Sequence, residues 1–262
     1  MIYEHQQQAI DYIADKFKAD EQVDALLISG SISHGFNDEN SDVDINIIVS
    51  DEIYEQRLKK YALTYWESAE NFYQGGYFDG KYISLGYLEA VAERGNEPTR
   101  FALCDVNIAF DKTDKVADYI KKISEYKADI QVNTVRFLSQ LIGWNWYCGE
   151  ALKRDNKYLL DMAVSKLILF SGRLILLENR MFFPYHKWFM RVLEDAPNKP
   201  EGFMILINKL LNDKSAENAA ELFETVKNYK DWTSGVDYDW GSNYIRDIET
   251  VWMRHDDFIE NI

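Results

Sequence analysis

Apolar residues Ala9, Ile10, Ile13 and Phe17 recur at spacings of one, three and four, which puts them on one face of an amphipathic helix that ends before Glu21. The next apolar run, Ala25-Leu26-Leu27-Ile28, has strand length and stops at Ser29-Gly30. From Ser29 to Ser41 the chain is rich in Gly, Ser, Asn and Asp and reads as a loop. Val43, Ile45, Ile47 and Val49 then alternate with Asp42, Asp44, Asn46 and Ile48, the period of two expected of a strand with one buried face. A helix over Asp51 to Glu70 is expected next. Two further strands are expected, Tyr77 to Leu88 and Phe101 to Phe110, with Arg94-Gly95-Asn96-Glu97-Pro98 as the turn between them.

Beyond Lys112 the pattern becomes helical: Asp129 to Arg154, Lys157 to Arg180, Tyr185 to Asp195, Glu201 to Asn212, and Ser215 to Trp232. Strands in the first half and helices in the second predict an α+β fold, in which a domain with a mixed sheet (1–115) is followed by an all-α bundle (116–262). Trp144, Trp146 and Trp188 are read as bundle core.

Composition narrows this picture. Across 262 residues, 47% apolar and 15% aromatic content supports a packed core. No apolar run approaches the ~20 residues of a membrane span, and the first residues, Met1-Ile2-Tyr3-Glu4-His5-Gln6, do not resemble a signal peptide, so no membrane partner and a cytoplasmic location are expected. The formal charge of −15 argues against a large nucleic-acid surface and suits a cationic small acceptor. Cys104 and Cys148 are too far apart for a zinc or redox motif and are expected as two free buried thiols. Monomer and homodimer stay open.

The chemistry concentrates in Ser29 to Ile45. Asp42 and Asp44, two apart on a strand, project from one face, and like charges that close together ask for a cation between them. Mg²⁺ prefers a few carboxylates plus substrate phosphates. Gly30 lets backbone approach a phosphate closely, and Ser31 adds a hydroxyl donor. Gly30 and Gly35 have P-loop spacing, but Phe36-Asn37 stands where that motif needs Lys and a hydroxyl residue, which excludes it.

Ile28, Gly30-Ser31 and Asp42-Val43-Asp44-Ile45 resemble the signature of the DNA-polymerase-β-like nucleotidyltransferases: an apolar residue, Gly-Ser, a spacer of about ten residues, then Asp-apolar-Asp-apolar. The resemblance implies two Mg²⁺ ions held by Asp42 and Asp44, a nucleoside triphosphate on Gly30 and Ser31, and a third acid from a later strand. Asp79 and Ser84 compete for that third position. The stretch Phe101 to Asp114 with the helix after it, and Asn179 to Phe189, resemble the helical half of bacterial lincosamide and aminoglycoside nucleotidyltransferases. Lys166, Arg173 and Arg180 lie seven apart on one helix; Lys166 and Arg173 are candidates for triphosphate binding, and Lys187 beside His186 is a third.

The expected function is therefore transfer of a nucleoside monophosphate from a Mg-bound triphosphate, ATP foremost, to a hydroxyl of a small acceptor, such as an aminoglycoside- or lincosamide-like antibiotic. A regulatory nucleotide-binding module without catalysis, of toxin–antitoxin type, is the alternative; transfer to RNA is disfavoured by charge, and transfer to protein stays open.

Overall fold

In the computed structural model, which describes residues 1–254, 258–260 and 262, the chain forms two compact units, Met1–Glu125 and Tyr126–Ile262. The first runs α1 (Glu4–Lys18), β1 (Val23–Ile28), the four-residue α2 (Gly30–Ser33), β2 (Val43–Val49), α3 (Asp51–Lys59), β3 (Thr64–Ser68), β4 (Tyr77–Ser84), α4 (Leu85–Arg94), α5 (Glu97–Cys104), β5 (Asn107–Asp111) and α6 (Val116–Ser124). The strands form one mixed sheet in the order β3-β4-β2-β1-β5. Only β2 and β4 run parallel; the other neighbours are antiparallel.

One face of the sheet packs on α1, where Ile13 and Phe17 meet Ile45 and Ile47. Each such buried side chain contributes roughly 1.5–3 kcal/mol. The other face carries Leu27, Ile48 and Ile83 under Leu88 of α4, Leu103 of α5 and Ile123 of α6. β2, in the middle of the sheet, is therefore buried on both faces except at Asp44, which corrects the expectation of a strand with one buried face.

Three other element expectations are also corrected. The helix expected to Glu70 stops at Lys59, because Tyr61 takes a left-handed φ of 54° and Thr64-Tyr65-Trp66, rich in β-formers, pairs antiparallel with β4. The strand expected to Leu88 ends at Ser84, whose hydroxyl accepts from the Tyr87 N–H at 3.1 Å and starts α4. The residues read as a turn also begin a helix: Asn96 Oδ1 accepts from the Thr99 N–H at 3.1 Å, Pro98 sits in the first turn of α5, and strand pairing starts only at Asn107.

The second unit is helical, with α7 (Ile130–Lys153), α8 (Lys157–Glu178), α9 (Phe189–Asp195), α10 (Phe203–Asn212), α11 (Ala216–Lys227), α12 (Trp240–Ile248) and a short 3-10 turn, Val251–Met253. The long pair α7 and α8 follows the expected periodicity and packs lengthwise. The run from Tyr185 is helical only from Phe189, and α12, not anticipated, is tied to α7 by a two-point contact in which Arg136 Nε and Nη2 donate to Asp247 at 3.0 and 2.8 Å. Trp146 is 54% exposed rather than core, lining a shallow aromatic hollow with Tyr147, Trp240 and Tyr244. Among the described residues no helix is long and apolar enough to cross a membrane.

Candidate active site

The parallel pairing of β2 and β4 sets Asp79 directly beside Asp44, while Asp42 lies two residues earlier on the same chain face. Carboxylate oxygens of Asp42, Asp44 and Asp79 lie within 4.8 Å of one another. The sheet register thus joins Asp79, and not Ser84, to the pair: Ser84 is buried at the far end of β4 as the cap of α4.

Gly30 closes the group from the side of β1. It has a φ of +64°, and a Cβ there would stand 1.7 Å from Asp44 Oδ2, so any other residue would strain the backbone and push the Asp44 carboxylate aside. The Ser29 N–H donates to the Asp44 carbonyl at 2.9 Å, which fixes the turn against β2. Ser31 is buried in α2, the one short helix in the stretch expected as loop.

The approach to Asp42 is set by a residue that carries no catalytic signature. Gln6 of α1 is fully buried, its amide donates to the carbonyls of Asp38 (2.8 Å) and Ser41 (3.2 Å), and its Oε1 accepts from Asn37 Nδ2 (2.9 Å). Tyr73 adds a hydroxyl bond to the Ser41 carbonyl at 2.9 Å. The loop before Asp42 is therefore held on both sides, and the acid enters β2 pre-positioned.

The electrostatics match a cation site. The Asp42 carboxylate beside Tyr77, with the charges of Asp79 and Asp44, raises the phenol above its usual pKa. Lys81 follows Asp79 by two on the same face of β4; desolvation lowers its ammonium pKa, opposed by the charges of Asp44 and Asp79. Across the register from Lys81 lies Asn46, 1% exposed, whose amide oxygen and nitrogen have no hydrogen-bond partner among the described residues. Such a group costs on the order of 1–3 kcal/mol unless something fills it. Sequence reading did not single out Gln6, Tyr77, Lys81 or Asn46. For Asn46 and Lys81 a signal existed, since both continue the i, i+2 register of Asp44 and Asp79.

The three remaining expected cations lie in the second unit. Lys166 pairs with Glu260. Arg173 is 1% exposed, with its guanidinium 4.6 and 4.7 Å from the ring centroids of Phe137 and Phe183 and a bond to the Ile262 carbonyl. Lys187 is exposed, just ahead of α9, with its amine 5.2 Å from the Trp188 ring centroid. Cys104 and Cys148 are both free thiols; Cys148 is buried as expected and Cys104 only partly so.

An all-oxygen donor set of three converging carboxylates fits a hard divalent cation, and the close Gly30 backbone fits a phosphate beside it. Residues 10–135 match the family described as "Nucleotidyltransferase domain". No curated protein is significantly similar to the chain. A crystal structure of a nucleotidyltransferase-like protein from Exiguobacterium sibiricum 255-15 is similar over 96% of this chain and 80% of that one, at 13% identity and a TM-score of 0.47. The Gly30-Ser31 turn and the three aspartates all lie inside the matched span, so this part of the chain is similar to a nucleotidyltransferase domain.

Proposed function

We propose that the protein transfers a nucleoside monophosphate from a Mg²⁺-bound nucleoside triphosphate, ATP foremost, to a hydroxyl of a small cationic acceptor of aminoglycoside or lincosamide type. The observation that carries the reading is the convergence of Asp42, Asp44 and Asp79 beside the Gly30 turn. In this reading Asp42 and Asp44 hold two Mg²⁺ ions and Asp79 completes the set. Bound there, the ions would supply Lewis-acid stabilisation to an in-line displacement.

The chain's own residues do the rest. Gly30 and Ser31 bind the β- and γ-phosphates through backbone and hydroxyl donors. Asp79 accepts the proton of the acceptor hydroxyl as its oxygen bonds to the α-phosphorus and the bond to pyrophosphate breaks. Lys81, next on that face, offsets negative charge at the three carboxylates. Of the three cations expected for the triphosphate we keep Lys187, whose amine is exposed; Lys166, held by Glu260, and Arg173, enclosed by Phe137 and Phe183, are proposed as packing residues. The −15 charge supports a cationic acceptor over RNA.

The test is pyrophosphate release with each of the four triphosphates, Mg²⁺ and a panel of hydroxyl-bearing acceptors that includes aminoglycosides and lincosamides. Release with one triphosphate and acceptor pair is expected. If ATP with Mg²⁺ raises the melting temperature of the wild type but not of Asp42→Ala, and no pair releases pyrophosphate, the protein is a regulatory nucleotide-binding module instead.

A further inference from the structure

Three unlike ligand atoms meet where α2 and α5 end. Nδ1 of His34, the residue that caps α2, lies 3.0 Å from Asp105 Oδ2. Sγ of Cys104, the last residue of α5, lies 3.5 Å from the same oxygen, and all three ligand atoms fall within 4.8 Å of one another. Both contacts are slightly shorter than the edges of a tetrahedral zinc sphere, so a small outward shift of the exposed Asp105 carboxylate would admit the ion. Zn–N and Zn–O bonds of about 2.0–2.1 Å and a Zn–S bond of about 2.3 Å put the N···O edge at about 3.4 Å and the S···O edge at about 3.6 Å.

The ligands are also held in place. The His34 side chain is 4% exposed, and its ring stacks on Phe101 with centroids 4.2 Å apart and planes 22° apart. One turn before Cys104, buried Arg100 donates to the carbonyls of Gly95 (2.8 Å), Ala92 (3.1 Å) and Ile123 (3.2 Å), which anchors α5 to α4 and α6. The Asp105 side chain is 61% exposed, so the group opens to solvent on one side and leaves a fourth position for water.

We infer that His34, Cys104 and Asp105 form a second metal site, distinct from the three carboxylates, that takes one borderline-soft divalent cation of the Zn²⁺ type. A thiol, an imidazole and a carboxylate suit Zn²⁺ and not Mg²⁺. On binding, the Cys104 sulfur releases its proton to solvent, and the His34 ring carries its remaining proton on Nε2 so that Nδ1 can ligate. A Cys–His–Asp nucleophile is the competing reading of these residues. That reading needs the imidazole to take the thiol proton, whereas His34 Nδ1 and Cys104 Sγ both face the same Asp105 oxygen. The site also has a mechanical consequence. The His34 N–H donates to the Gly30 carbonyl at 3.3 Å, so a bound cation ties the Gly30–Ser33 turn to α5.

The experiment is titration of the full chain with Co²⁺ as a spectroscopic stand-in, in excess Mg²⁺ to occupy the carboxylates. One equivalent is expected to produce a sulfur-to-cobalt charge-transfer band and the intense visible bands of a tetrahedral ion. The charge-transfer band is expected to vanish in Cys104→Ser and to persist in Cys148→Ser. Should Cys104→Ser fail to fold, Asp105→Asn, on the surface, serves: competition of Zn²⁺ against Co²⁺ is expected to show about 100-fold weaker binding. No charge-transfer band in the wild type, a band that needs Cys148, or unchanged Zn²⁺ affinity in Asp105→Asn overturns the site.

Discussion

Two groups of side chains with the donors to hold a cation lie in the same unit, and they are built differently. Asp42, Asp44 and Asp79 offer only oxygens and stand on or beside two central, parallel strands whose register is locked by hydrogen bonds. His34, Cys104 and Asp105 offer nitrogen, sulfur and oxygen and stand at the ends of two helices. The contrast ties donor chemistry to scaffold. A site that must stabilise a phosphoryl transition state needs hard ligands held to fractions of an ångström, which adjacent strands supply. A mixed set at helix ends suits a cation that joins two elements.

The comparison breaks first at Asp44. Asp44→Asn keeps shape and fold but removes a charge that a second cation needs, and nucleotidyl transfer is expected to fall by at least about 10³-fold, equivalent to about 4 kcal/mol of barrier. Steady-state kinetics with circular dichroism as a folding control checks it; wild-type turnover would remove the oxygen cluster from the chemistry. The next largest effect is at Gly30→Ala. The new Cβ must displace the Asp44 carboxylate, and the left-handed backbone adds about 1–2 kcal/mol of strain. A loss of about 100-fold in kcat is expected, the usual consequence of misplacing a catalytic group by about an ångström.

The two clusters also differ in how far they could be read from sequence. The spacing of two brought Asp42 and Asp44 together as expected, although β2 begins only at Val43 and is buried on both faces, and Gly30-Ser31 opens a short helix where a loop was expected. Asp79 was named but contested by Ser84, since the pairing of two strands more than thirty residues apart has no local signature; the register sets Asp79, not Ser84, beside Asp44. Gln6 was legible only as a helix residue, because its bonds to the Asp38 and Ser41 carbonyls span over thirty residues. Cys104 and His34 looked unrelated for the same reason, and α5 was hidden because Asn96 and Pro98 serve turns and helix starts equally.

Smaller effects sharpen the assignment. Lys81 is an exposed residue whose ammonium is held below the usual lysine pKa by desolvation and supported by the charges of Asp44 and Asp79, so its net effect on stability is small. Lys81→Met is therefore expected to leave the melting temperature at neutral pH close to that of the wild type, while turnover falls about tenfold. Thermal melts beside initial rates test both halves, and wild-type turnover in the variant would remove Lys81 from the site. Smallest of all is Ser84→Ala. Loss of the α4 cap is expected to cost about 1 kcal/mol in denaturant melts with turnover at the wild-type rate. A stable Ser84→Ala protein without activity would reopen the choice of third residue.

The most direct test of the account follows the α-phosphorus. With triphosphate labelled at that position, Mg²⁺ and the acceptor found by screening, the wild type is expected to place one label on the acceptor for each pyrophosphate released, and both Asp44→Asn and Asp79→Asn to do neither while remaining folded. Release of orthophosphate in place of pyrophosphate, or labelling that survives both substitutions, would contradict nucleotidyl transfer by these three carboxylates.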